Sequence, residues 1–134
     1  MAGITDLSIL LKTMEPNLSP LEFVYCSVPT EDFTNYLTLN PLCVFHEAEG
    51  TTLILPIGAA KDHGLPHSAP LRCITLTVHS ALEAVGLTAA FAAALTREGI
   101  SANVVAGYYH DHIFVPSADA ERAVAALKAL SAST

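Results

Sequence analysis

The sequence predicts an α+β fold made of two unequal copies of one β-α-β-β-α pattern, with antiparallel sheets carrying helices on one face. Three observations carry this: an internal repeat, branched strand segments alternating with Ala- and Leu-rich helical ones, and enough apolar residues to fill a core. Displaced by 60 residues, Cys43-Val44-Phe45, Leu53-Ile54-Leu55-Pro56 and Ala59-Ala60 fall on Asn103-Val104-Val105, Ile113-Phe114-Val115-Pro116 and Asp119-Ala120. Displaced by 50, residues 21–28 fall on residues 71–78. Self-similarity at fixed offsets marks a duplicated unit. The second offset is ten residues shorter, so the first copy lacks about ten residues between its first and second strands. A crossover helix is the segment expected to be missing.

The elements follow in order. Asp6 is placed to cap a short helix in which Leu7, Leu10, Leu11 and Met14 recur at helical spacing. Pro16 ends it. In the first copy, residues 21–28 read as a strand. Residues 29–41 are barely enough for a parallel crossover, with at most one helical turn over residues 32–37. Residues 42–47 and 52–55 make two more strands, and residues 59–63 a helical turn. His67-Ser68-Ala69-Pro70 reads as the linker, dividing the chain into residues 1–68 and 69–134.

In the second copy, residues 71–78 are a half-buried strand with Arg72, Thr75 and Thr77 interleaved among apolar residues. Residues 82–97 predict a helix, with Leu87, Ala90, Phe91, Ala94 and Leu95 on one face and Gly99 as its stop. Its side chains are so small and apolar that covering on more than one face is expected. Residues 100–108 are a strand, Tyr109-His110-Asp111-His112 a hairpin connection, and residues 113–115 a further strand ended by Pro116. Ser117 is expected to cap a last helix, with Ala120, Val124, Leu127 and Leu130 inward and Arg122 and Lys128 outward. This is the split β-α-β of ferredoxin-like folds. Each copy lacks the final strand of a complete β-α-β-β-α-β unit, which predicts an exchange of strands between halves.

Composition excludes several classes. The chain has 134 residues, 51% hydrophobic and 14% charged, with a net charge of −7. Disordered chains show the reverse balance. The six Lys and Arg are scattered singly, leaving no basic stripe for nucleic acid or anionic lipid. The most apolar run, residues 89–95, is far shorter than the roughly 20 residues of a membrane span. The N-terminal residues lack the basic and apolar regions of a secretory signal, so a cytoplasmic location is expected. Cys26, Cys43 and Cys73 show no metal-type spacing and read as reduced core thiols. The low charged fraction predicts a homodimer or higher homo-oligomer.

Two stretches are distinctive: Val-His-Ser-Ala-Leu-Glu-Ala-Val-Gly-Leu-Thr from Val78 to Thr88, and Asn-Val-Val-Ala-Gly-Tyr-Tyr-His-Asp-His-Ile-Phe-Val-Pro from Asn103 to Pro116. With the opening Ile4-Thr5-Asp6-Leu7, Leu10-Leu11 and Met14-Glu15-Pro16, they resemble the small tandem ACT-domain proteins. Related tandem ACT domains regulate aspartate kinases and form cytosolic amino-acid sensors, with an effector between two ACT units near the first β-to-α loop. The resemblance therefore implies a non-catalytic regulatory protein that binds an amino acid at an interface between ACT units. The first copy departs from the pattern in lacking a full first helix, which counts against a pocket built by that copy alone.

The loop into the Ala-rich helix is the best candidate site. Unpaired amides and the partial positive charge at a helix start favour a carboxylate. An amino acid would place its carboxylate there and its ammonium on carbonyls of the neighbouring strand. The expected ligand-binding set is His79, Ser80, Leu82, Val85, Gly86, Leu87 and Thr88, with Asn103, Val104, Val105 and Ala106. The plainer alternative is that Ser80 merely caps the helix and Gly86 merely lets two helices touch. His110 and His112 suggest a metal, yet a zinc site needs three or four ligands and no spacing ties others to them. A polar turn is the better reading, and no metal or cofactor is expected. Glu47 and Glu49 read as a solvated turn. No catalytic motif orders Ser, His or Asp, so an enzyme is not expected. The competing function is an oligomerisation or interaction module without a metabolite ligand.

Overall fold

The computed structural model describes residues 6–78 and 82–134. In chain order the elements are α1 (Leu7–Thr13), β1 (Pro16–Val28), a 3₁₀ helix (Thr30–Leu39), β2 (Cys43–His46), β3 (Thr51–Pro56), α2 (Ile57–Asp62), β4 (Leu71–Leu76), α3 (Leu87–Arg97), β5 (Asn103–Ala106), β6 (Asp111–Pro116), a 3₁₀ turn (Ser117–Asp119) and α4 (Ala120–Ala132). They form two compact units, one of residues up to Pro20 with Arg72–Thr134 and the other Leu21–Leu71. The compact units thus differ from the linear halves 1–68 and 69–134, because the N-terminal segment completes the C-terminal copy.

In the first of these units the strands run in the order residues 16–20 of β1, β4, β6, β5. Counting β4 as the first strand, this is the ferredoxin-like order 4-1-3-2, and the fourth strand is supplied by the N-terminal segment. The Thr77 N–H donates to the Glu15 carbonyl at 2.9 Å, and the Arg72 Nε–H to the Ser19 carbonyl at 2.9 Å. Pro16 therefore ends α1 and at once opens a strand, so β1 is longer than the expected residues 21–28. The Asp6 carboxylate accepts from the Ile9 N–H at 3.1 Å, as a cap should. Leu10, Leu11 and Met14 of that segment are buried with Ile74 and Leu76 of β4, Phe91 and Leu95 of α3, Ile113 and Val115 of β6, and Leu127 of α4. One helix layer thus packs on one sheet face.

Three boundaries differ from expectation. Helix α3 begins at Leu87 instead of residue 82, because Gly86 at φ 99° breaks the helical path just ahead of it. Thr88, Ala89, Ala93 and Thr96 are exposed, so within the chain this helix is covered on one face only. Strand β6 begins at Asp111, so the turn is residues 107–110, and Asp111 and His112 are strand residues. Ser117 does not cap α4. Its Oγ is buried without a hydrogen-bond partner among the described residues, and a 3₁₀ turn intervenes before Ala120. Arg122 and Lys128 are exposed as expected, Arg122 pairing with Asp119 at 3.2 Å.

The other unit orders its strands β2, β3, β1. The expected loss of its crossover helix is corrected: the ten-residue segment Thr30–Leu39 is helical but wound as 3₁₀. A 3₁₀ helix rises about 2.0 Å per residue against 1.5 Å for an α-helix, so ten residues span about 20 Å instead of 15 Å. That matches a six-residue strand, about 20 Å long, and lets a short connection return the chain. Phe33, Tyr36 and Leu39 of this helix pack on Val24, Cys26, Leu53 and Leu55. The linker is held on β1, the Tyr25 N–H donating to Ser68 Oγ at 2.9 Å and the Ser68 N–H to the Tyr25 carbonyl at 3.0 Å.

The repeat survives in register. Cys43 pairs with Ile54 and Val44 with Leu53, while Asn103 pairs with Phe114 and Val104 with Ile113. Each hairpin closes by an N–H to carbonyl bond of 2.9 Å, Glu47 to Gly50 and Gly107 to His110. None of the described helices is long and apolar enough to cross a membrane.

Candidate functional site

In the unit containing α3, the turn of residues 107–110 meets the end of β4. His110 Nδ1 lies 3.2 Å from the Val78 carbonyl oxygen, so the turn and the loop leading to α3 share one end of the sheet. Helix α3 opens without a side-chain cap, and its first internal bond runs from the Ala90 N–H to the Gly86 carbonyl at 2.9 Å. The N–H groups of Leu87, Thr88 and Ala89 therefore have no acceptor within the helix. This is the local chemistry that favours a carboxylate.

The expected site residues divide. His79 and Ser80 lie outside the described residues. Leu82 and Val85 are 67% and 83% exposed, apolar side chains left largely uncovered among the described residues. Thr88 is exposed, whereas Leu87 is buried in the core and offers only its backbone. Gly86 does what the plainer alternative required: a Cβ there would meet Leu7 Cδ2 at 3.0 Å, so the glycine lets α1 approach. Ala106 pairs with Asp111 at the loop end, with Val105 and Val104 half-buried behind it. Asn103 pairs with Phe114, three residues or about 10 Å further along the strand. Its amide donates to the Phe114 carbonyl at 3.3 Å, which accounts for a polar residue in that strand.

Tyr108, Tyr109 and His110 are at this end and were not in the expected set. The repeat already aligned their turn with residues 47–50, but only the strand register shows which end of the sheet it occupies. Tyr108 and Tyr109 stack edge to face with ring centroids 5.0 Å apart. His112, expected in the turn, lies on β6 with Nδ1 2.9 Å from Thr75 Oγ1. Burial pushes its imidazole below the ordinary histidine value, and the neighbouring His110 adds to this. Burial pushes the Asp111 carboxyl up, opposed by His112 and His110. Among the described residues no group of three or more His, Cys, Asp and Glu is placed to hold a metal ion.

The corresponding end of the other unit holds a groove of about 540 Å³, lined by residues 27–31 and 48–50, with Glu31 and Glu49 among them. Behind it, fully buried Thr51 donates from Oγ1 to Thr30 Oγ1 at 3.3 Å and lies 2.9 Å from His46 Nδ1. Glu47 accepts from the Thr52 hydroxyl. Cys26 and Cys73 are buried free thiols, both pushed up by burial, and Cys43 is half-buried.

Models of the ACT domain match residues 2–72 and residues 68–129. No curated protein matches the chain. Among solved structures, a Vibrio cholerae protein of unknown function, described as a possible transport protein, is 50% identical with a TM-score of 0.85, over 93% of this chain and 95% of its own. An Agrobacterium tumefaciens protein is 14% identical with a TM-score of 0.70, over 88% and 89% of the two chains. The ligand-free regulatory subunit of aspartate kinase from Thermus thermophilus is 9% identical with a TM-score of 0.66, over 90% and 97%. The last two likenesses are of fold alone.

Proposed function

The chain belongs to the ACT-domain family, and from that premise we propose that it is a cytoplasmic, non-catalytic regulatory protein that binds an amino acid at the loop end of α3. The observation that carries this reading is the uncapped start of α3, where three N–H groups face the loop end shared with the turn of residues 107–110. The ligand carboxylate accepts from the amides of Leu87, Thr88 and Ala89, and the ammonium meets a strand carbonyl at the Ala106 end. His79, Ser80, Leu82, Val85, Gly86 and Thr88 surround it. A neighbouring ACT unit, as in a homodimer, closes the ligand from the other side. A ligand held between units favours the arrangement that aligns its contacts, and shifts that equilibrium only by its differential affinity.

A thermal-shift screen over the common amino acids at millimolar concentration tests this. A ligand at about 100 times its dissociation constant stabilises by about 2.7 kcal/mol, several degrees for a chain of this size. A flat response across the panel refutes the proposal. A second reading, an interaction module without a metabolite, draws on Leu42 and Phe45, 54% and 65% exposed at edge strand β2. It predicts a flat panel together with an oligomer by light scattering that Phe45→Ser dissociates.

A further inference from the structure

The two copies close the same turn with opposite chemistry. Residues 47–50 are Glu-Ala-Glu-Gly and residues 107–110 are Gly-Tyr-Tyr-His, yet both carry the same 2.9 Å closing bond. Aromatic rings are therefore not what the turn requires. In the second copy they stand 66% and 62% exposed at the loop end where Leu82 and Val85 are 67% and 83% exposed. Large apolar groups left exposed at one end of a sheet are surface that a ligand or partner covers. Neither loop carries Lys or Arg, and His110 Nδ1 is engaged at the Val78 carbonyl. The loop's one carboxylate, Glu83, is exposed and of the sign to receive an ammonium.

From this we infer that the effector is an amino acid with an uncharged, apolar side chain, of the leucine or phenylalanine kind, seated on Leu82, Val85, Tyr108 and Tyr109. The inference rests on the ligand-binding reading above and names its side-chain class. The charge pattern fits such a zwitterion: amides for the carboxylate, the strand carbonyl at the Ala106 end with the negative charge of Glu83 in the same loop region for the ammonium, and apolar surface for the rest. An acidic side chain would meet Glu83 with no cation in either loop, and a basic one would bring two ammonium groups to the single carboxylate Glu83.

The test titrates the full chain with L-leucine, L-phenylalanine, L-aspartate and L-lysine separately, following melting temperature and tyrosine fluorescence. The chain has four Tyr and no Trp, so Tyr108 and Tyr109 supply half of the tyrosines that report, with no tryptophan to mask them. Leucine or phenylalanine is expected to raise the melting temperature and change the emission, with affinity falling about tenfold in Tyr108→Ser/Tyr109→Ser. The shift is read against each variant's own unliganded melting temperature, and Val85→Asp gives an independent variant on the other loop. Binding of aspartate or lysine instead, or binding of leucine unchanged in both variants, overturns the inference while leaving amino-acid binding in place. No shift with any amino acid overturns both.

Discussion

His112 is the residue whose environment most directly converts into a measurement. It is half-buried on β6, 2.9 Å from Thr75 Oγ1, and burial makes its imidazolium less favourable in the folded chain than in the unfolded one. Its folded value therefore lies below the ordinary one of about 6.5. Above about pH 6.5 both states are neutral and the stability this group contributes is fully present; as pH falls below that, the unfolded chain takes up the proton first and stability drains away until the folded value is passed. Asp111 works in the opposite sense, its raised folded value contributing stability at acid pH that is lost as pH rises through it. The expected outcome is a melting temperature that declines on acidification through about pH 6.5, with a shallower decline in His112→Asn. Equal slopes in the two proteins would count against the role. Gly86 shows the limit of residue-level reading. Its place in the loop into the Ala-rich helix suggested a ligand contact, but φ 99° and Leu7 at 3.0 Å from a would-be Cβ make Gly86→Val a stability variant, so Val85→Asp is the cleaner probe. Asn103 is similar: polarity in an apolar strand suggested a ligand contact, and a cross-strand bond to Phe114 accounts for it.

At the next scale, the polar ties that hold the 3₁₀ helix Thr30–Leu39 include the line from His46 through Thr51 to Thr30. Thr51 is fully buried while His46 and Thr30 are exposed. Thr51→Val keeps the volume and removes the hydroxyl, and its two former partners can turn to water. The net cost is then that of lost hydrogen bonds, about 1–2 kcal/mol, without a large desolvation penalty. Urea unfolding is expected to show a lower midpoint with unchanged slope. No change in midpoint would mean that apolar packing of Phe33, Tyr36 and Leu39 alone secures the helix. The elements themselves were legible where periodicity was strong: α1 with its Asp6 cap, both hairpins, and α4's faces follow from spacing, and the 60-residue offset matches the strand registers of Cys43 with Ile54 and Asn103 with Phe114. Boundaries were less legible. Residues 82–86 have helical composition, but a positive φ at Gly86 is a backbone state that composition does not reveal. Ser117 has capping chemistry, yet a 3₁₀ turn places it too early to serve α4.

Whether the C-terminal copy is a domain is a question for the whole chain. The missing final strand of each copy was legible as an absence; what fills it was not, since Pro16-Asn17-Leu18-Ser19-Pro20 reads as a loop with two residues unable to donate a backbone hydrogen bond. At the border of a sheet such residues are tolerated, and that is where residues 16–20 lie in their unit, beside β4. Preceding them, Leu10 and Met14 are 0% and 2% exposed, and Leu11 is 8% exposed. Burying side chains of this kind contributes about 1.5–3 kcal/mol each, so the three account for about 5–9 kcal/mol. That is comparable to the about 5–15 kcal/mol that stabilises a typical domain. A fragment of residues 69–134 is therefore expected to show no cooperative thermal transition, despite containing a complete β-α-β-β-α series. Covalent rescue follows from the geometry: Ser131 Oγ donates to the Lys12 carbonyl at 3.1 Å, so the end of α4 lies against the end of α1. Appending residues 6–20 after residue 134 through a flexible glycine-serine linker long enough to run back along α1 is expected to restore a cooperative melt. A sharp transition in the unaided fragment would show that the borrowed strand and helix are ornaments on an already stable copy, and failure of the appended version would show that their attachment at the other end matters in itself.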